Sequence, residues 1–261
     1  MINNMTVNRK QPVLVIVAAL IALLPAVVSA SGGGAALLPA KSDVGDVASL
    51  QRGARNFVNY CMGCHSAKYI RFSQLQEDLQ LTDDQVLENL MFAAKKTDEL
   101  MTIAMPAADA GGWFGQAPPD LTLVARSRGS DWVYNFLKSF YLDDSTMTGT
   151  NNTVLPNASM PHVLWELQGL QEAVFVETTE VNSDGEEITT SQFDHFETVS
   201  PGDLEPEDYD QFVRDIVNFL DWAGTPEQLQ RQRLGIWVII FLFIFLIFAY
   251  LLKVEIWKDV K

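Results

Sequence analysis

Apolar residues recur at three-to-four spacing through Val47–Tyr60, where Val47, Leu50, Ala54, Phe57 and Val58 share one face among polar neighbours. That spacing predicts an amphipathic helix. A second, aromatic-faced helix is predicted over Ser130–Leu142, capped by its opening Ser-Asp. A third runs over Pro206–Ala223, with Pro at its start, Tyr209, Phe212, Val213, Ile216 and Phe219 inward, and Gly224 as its stop. Thr82–Leu90 opens with a capping-box pattern and predicts a short helix that places Met91 in the core. Glu172–Val181 and Glu186–Phe196 instead alternate and are rich in β-formers, with Asn182-Ser183-Asp184-Gly185 between them. This pattern predicts a hairpin. The fold expected is mainly α, with a small β-hairpin insertion.

Two apolar runs lack any such period. Val13–Leu24 follows Arg9 and Lys10 and precedes Pro25 and Val28-Ser29-Ala30. A short basic region, an apolar core and a small-residue site describe a secretory signal peptide over residues 1–30, cleaved after Ala30. The core is too short to span a bilayer comfortably before Pro25. Leu234–Leu252 is 19 residues without a charge and shows no polar face. At 1.5 Å per residue such a run crosses a hydrocarbon core of about 30 Å. Trp237 lies near one end, Tyr250 and Trp257 near the other, at interfacial depths. Lys253, Lys258 and Lys261 follow the run while Arg231 and Arg233 precede it, a weak bias toward an inside tail. The expected layout is a periplasmic domain over 31–230, a single span over 234–252 in the inner membrane, and a cytoplasmic tail over 253–261.

Charge sharpens this layout. The chain of 261 residues carries 18 basic and 33 acidic residues, a net of −15. Residues 31–230 alone hold 11 basic and 31 acidic residues, a net of −20. Phosphates would be repelled, which excludes nucleic acid as a partner. From Ser139 through Val213 there are 16 carboxylates and no Lys or Arg. That run reads either as a solvated face or as a docking surface for a basic partner.

The two cysteines, Cys61 and Cys64, are followed at once by His65. A disulfide or a thioredoxin-like pair would leave the adjacent histidine unexplained, and zinc would need a second pair of ligands. Cys-x-x-Cys-His is what covalent haem attachment requires, each thiol adding to one vinyl group and the imidazole reaching the iron from the same turn. One motif implies one covalently bound haem c and no disulfide. The second axial ligand is sought among Met and His. Met62 lies inside the attachment turn, while Met105-Pro106 and Met160-Pro161 lie in loops. Met160 stands 95 residues past His65, which leaves room for helices to wrap the haem, so position favours it over Met105. His162 is the next choice, and His195 reads as a surface residue.

These features resemble the cytochrome c1 family. Three blocks carry the resemblance: Arg52-Gly53 leading to Cys61-Met62-Gly63-Cys64-His65; Ala117-Pro118-Pro119-Asp120-Leu121 through Arg126-Ser127-Arg128-Gly129; and Asn157-Ala158-Ser159-Met160-Pro161. The resemblance implies a class I cytochrome c-like haem domain with a C-terminal transmembrane helix. It implies His65 and Met160 as the iron ligands and Cys61, Cys64, Pro119, Arg128 and Arg126 as haem-binding residues. Arg128 is the better fit to an arginine that meets a haem propionate, and Arg126 the second. It further implies an electron-transfer subunit of the dimeric quinol–cytochrome c oxidoreductase (bc1) complex, with cytochrome b, the Rieske iron–sulfur protein and a basic cytochrome c as partners. The alternative is a free-standing membrane-anchored cytochrome c serving a terminal oxidase.

Overall fold

The computed structural model describes residues 37–181 and 187–259; the signal-peptide reading of residues 1–30 and the expected hairpin turn at 182–185 lie outside them. The central pair of helices is α1 (Val47–Tyr60) and α8 (Pro206–Gly224). Asp46 caps α1 by accepting the Ser49 amide at 3.0 Å, which satisfies a backbone donor the first turn leaves orphaned. The apolar stripe read from the sequence faces inward: Leu50, Ala54 and Phe57 meet Ile216, Phe219 and Leu220, all essentially buried. The Phe57 and Phe219 rings lie 5.3 Å apart. Each such large side chain contributes about 1.5–3 kcal/mol on burial.

The helices approach so closely at Gly53 that a Cβ there would sit 2.0 Å from the Asp215 carbonyl oxygen. Asp215, 2% exposed, is answered across the contact by Arg52 at 2.7 and 2.9 Å and by the Ser49 hydroxyl at 2.7 Å. This pairing satisfies a buried carboxylate.

Between the two long helices the chain places smaller pieces. β1 (Ala67–Arg71) leads into α2 (Phe72–Leu79) and α3 (Asp83–Asn89), and β1 pairs antiparallel with β2 (Leu100–Met101). Thr82 and Gln85 form the expected capping box on α3, and Met91 is core. Then come α4 (Ala107–Phe114), α5 (Val124–Arg128) and α6 (Ser130–Lys138).

The third of these helices departs from its prediction. It ends at Lys138, not Leu142, because Phe140–Leu142 (β3) pairs antiparallel with Thr150–Asn152 (β4), with Phe140 opposite Asn152. A β-prone Phe-Tyr-Leu triplet therefore leaves the helix to pair with the strand that follows the 143–149 turn. Nor does its opening Ser-Asp cap it. Gly129 occupies the N-cap, and the Asp131 carboxylate instead accepts the Ala40 amide at 2.7 Å.

After α7 (Trp165–Gln168) the predicted hairpin is present and longer than expected, β5 (Gly169–Val181) against β6 (Glu187–Pro201). Gly169, at φ 88°, sits where a Cβ would meet the Ser200 carbonyl oxygen at 2.2 Å, so only glycine lets the ribbon start there. Most of the hairpin is exposed, including His195, whose ring contacts Asp194 and Glu197. Those carboxylates raise the His195 pKa, Asp194 first. Asp210 leaves the acidic face, since Lys138, Arg214 and the Tyr134 hydroxyl all engage it.

The uncharged run lies within α9 (Gln228–Trp257), a 30-residue helix. It is long and apolar enough to cross a membrane, and none of its apolar window is buried. Its Ile, Leu and Phe side chains are exposed among the described residues, which fits a single-pass membrane protein.

Candidate haem site

α1 runs directly into the cysteine motif. Cys61 donates to the Phe57 carbonyl at 2.8 Å, and the amides of Cys64 and His65 both return to the Cys61 carbonyl, at 3.1 and 2.9 Å. This turn places Cys61, Cys64 and His65 in the lining of one cavity of about 470 Å³. The thiols are unbridged. Burial, then the neighbouring Cys64, pushes the Cys61 thiol up to about 12, so it rests protonated.

His65 is oriented by the second sequence block. Its Nδ1 lies 2.7 Å from the Pro119 carbonyl oxygen. A carbonyl only accepts, so Nδ1 carries the proton and Nε2 presents its lone pair for ligation. Burial lowers the His65 pKa, opposed by the Pro119 carbonyl and by Asp120, a direction that favours the neutral ring. The block itself is zipped onto the residues after the motif. Leu121 donates to the Ser66 carbonyl at 2.9 Å, and the Asp120 carboxylate accepts the Lys68 amide at 2.8 Å and the Thr122 amide at 3.1 Å. Pro-Pro-Asp-Leu thus serves as a local brace: proline stiffens the segment that offers the carbonyl, and aspartate fastens it.

The walls are apolar. Trp132, Phe136 and Leu137 come from α6, and Ile216 and Leu220 from α8. Arg128, the last residue of α5, also lines the cavity, its guanidinium 5.2 Å from the centre of the Trp132 ring in α6. The structure does not bring Arg126 to the cavity; its Cβ packs near Gly224 instead. Met160, in the loop between β4 and α7, lines the cavity together with Leu155 through Pro161. Among the described residues it is the one methionine that does so. Met105 lies elsewhere, Met91 and Met101 are core, and Met147 is 90% exposed.

His162 does not line the cavity either. It is buried, stacks on Phe140 at 5.1 Å and 5°, and neither ring nitrogen has a hydrogen bond of good geometry. Burial drops its pKa to about 4, offset only in part by the Gly169 backbone.

An imidazole nitrogen, a thioether and two thiols around an apolar cavity are the donor set of a covalently held haem. Among the described residues no group of three or more His, Cys, Asp or Glu gathers to hold a metal ion. The sequence does not single out Asn151 and Asn152, whose side chains accept the amides of Val154, Leu155 and Asn157 in the Met160 loop. Polar residues outside any repeating pattern give no local signal.

Fold and site together define a c-type cytochrome. The chain belongs to the cytochrome c1 family, which it matches over residues 42–99 and 91–260. It is 50% identical to cytochrome c1 of Allochromatium vinosum, over 94% of this chain and 98% of that one. It is 40% identical to a protein of Nitrosomonas europaea named ammonia monooxygenase gamma subunit, over 85% of this chain and 87% of that one. Cytochrome c1 of Rhodospirillum rubrum is 28% identical over 83% of each chain. Members of the family bind one covalent c-type haem and are electron-transfer subunits of the bc1 oxidoreductase complex.

Proposed function

We propose that this chain is the electron exit of its complex, taking one electron at a time from the Rieske iron–sulfur protein and passing it to a cytochrome c. The observation that carries the reading is that His65, Met160 and both cysteines line one apolar cavity. Cys61 and Cys64 would hold the haem through thioether bonds, His65 Nε2 and Met160 Sδ would ligate its iron, and Arg128 would meet a propionate, as their shared place in the cavity lining supports. The bound haem supplies a one-electron iron couple. The protein's own residues hold and tune it. The Pro119 carbonyl makes the imidazole a better donor, and Trp132, Phe136, Ile216 and Leu220 exclude water. No residue does acid–base or nucleophilic chemistry.

In this reading residues 1–30 are a signal peptide, 31–230 a periplasmic domain, 234–252 a span beside cytochrome b in a dimeric complex, and 253–261 a cytoplasmic tail. Residues 31–233, exported without the anchor in cells lacking cytochrome b and the Rieske protein, are expected to yield a soluble haem protein. Pelleting with membranes would contradict a single anchor.

The acidic hairpin serves the basic acceptor. Glu172 and Glu197 are exposed and stand directly opposite each other across β5 and β6. Like charges placed so cost stability, and a basic partner would relieve that cost. Changing Glu172, Glu177 and Glu197 together to Gln is expected to slow stopped-flow oxidation by a basic cytochrome c about three- to tenfold at low salt. The rates should converge as salt shortens the Debye length to about 8 Å. Equal rates at low salt would move the docking face elsewhere.

The reading as a whole is tested by purifying the tagged full chain from membranes. Covalent haem staining on a denaturing gel, with cytochrome b and the Rieske protein co-purifying, is the expected result. A haem-bearing chain isolated alone would make it a free-standing carrier.

A further inference from the structure

We infer that Asn152 is the positioning residue of the sulfur ligand, holding the 153–160 loop in the shape that brings Met160 to the cavity. The inference rests on Met160 being the second axial ligand and explains what keeps it in place.

No regular element spans the residues between β4 and Met160; the Thr153 amide donates to the Ser139 carbonyl at 3.1 Å, and side chains supply the other hydrogen bonds that turn this stretch. Asn152 is fully buried, at 0% exposure. Its Oδ1 accepts the amides of Val154 at 2.9 Å and Leu155 at 3.0 Å, which turns the chain immediately after β4. Its Nδ2 donates to the Phe136 carbonyl at 2.8 Å, tying that turn to the helix whose Trp132 and Phe136 form the cavity wall. Asn151 adds a second fastening. Its Oδ1 accepts the Asn157 amide at 2.7 Å, and its Nδ2 donates to Asp143 at 2.9 Å. Asn157 stands three residues before Met160 at φ 61°, a left-handed conformation that Asn tolerates better than most side chains.

The loop is also fastened beyond Met160. Asn152 pairs with Phe140 in the β3–β4 ribbon, and Phe140 is the ring on which His162 stacks. One rung of one ribbon therefore holds the loop on both sides of the ligand. A methionine has three rotatable bonds and a soft, neutral donor, so the share of time its sulfur spends on the iron depends on how well its backbone is pre-ordered. Only a carboxamide offers two acceptor directions and a donor at this reach. A carboxylate lacks the donor, and Leu lacks both.

The test uses full-length holoprotein in detergent, compared as wild type, Asn152→Leu and Asn152→Asp. The readouts are the near-infrared sulfur–iron band of the ferric protein and its rate of binding added imidazole, which requires the thioether to leave. Asn152→Leu is expected to weaken the band and speed imidazole binding about tenfold or more, as loss of a buried hydrogen-bonded group implies. Asn152→Asp, which keeps both loop amides bonded, is expected to show a smaller shift in the same direction. It also carries the test if the Leu variant does not accumulate. A lowered thermal midpoint with band and imidazole rate within twofold of wild type in the variants that accumulate would make Asn152 merely structural and overturn the inference. A Met160→Leu protein that keeps the band would overturn the ligand assignment itself. Loss of the band there, with unchanged Asn152 variants, would overturn the positioning role alone.

Discussion

Met160→Leu is expected to abolish the near-infrared sulfur–iron band and to lower the reduction potential by about 0.1–0.3 V, a sizeable part of the ~0.8 V over which axial ligands tune haem proteins. The thioether favours the reduced iron because it is neutral and soft, and Leu offers no donor in its place. The vacated position is expected to bind carbon monoxide in the reduced protein. His162 does not take over: its ring is buried against Phe140 and is absent from the cavity wall. Redox titration and reduced-plus-CO spectra of the purified holoprotein check this. Met105→Leu is the matched control and should change neither readout. The reverse pattern, loss with Met105→Leu and retention with Met160→Leu, would show the ligand assignment to be wrong.

Gly53→Ala is expected to be severely damaging, because it adds a methyl group where the two long helices cross. Its Cβ would stand 2.0 Å from the Asp215 carbonyl oxygen and 2.8 Å from the Phe219 Cβ, and backbone cannot move aside as a flexible side chain can. The two helices must part, which loosens Phe57 against Phe219 and draws Arg52 from Asp215. Overpacking costs about 1–3 kcal/mol where neighbours can shift, and more here because they cannot. Domains are stable by only about 5–15 kcal/mol, so a large loss of thermal midpoint and of haem-loaded protein is expected. Gly111→Ala, which meets nothing within 4 Å in α4, is the control. It should be neutral or stabilising by up to about 1 kcal/mol. Thermal unfolding followed by far-ultraviolet circular dichroism separates the two, and equal midpoints would mean the crossing is looser than it stands here.

Several elements were legible because their signals are local. The stripe Leu50, Ala54 and Phe57 predicted α1, and Tyr209 through Phe219 predicted α8, since a 3.6-residue period marks a buried face whatever it meets. The capping box at Thr82 and Gln85 worked for the same reason. Phe140–Leu142 was misread as helix because its fate depended on Thr150–Asn152, which no local pattern announces. Ser130 and Asp131 looked like a cap, but Asp131 was committed to Ala40, 91 residues away. The acidic run was visible as composition, yet Asp210 within it turned out to be engaged by Lys138 and Arg214.

By itself the sequence determined the covalent attachment chemistry, the two long core helices, the apolar run at the C-terminal end and the charge of the domain. Each of these depends on neighbours within a few residues. Tertiary structure decided which loop methionine lines the cavity, which nitrogen of His65 is free, that Arg128 reaches the site while Arg126 does not, and that Asn152 fastens the loop. Those outcomes join distant positions, His65 to Pro119 across 54 residues and Asn152 to Phe136 across 16. A polar side chain finds such partners only once the helices have packed, and so leaves no period in the sequence to read.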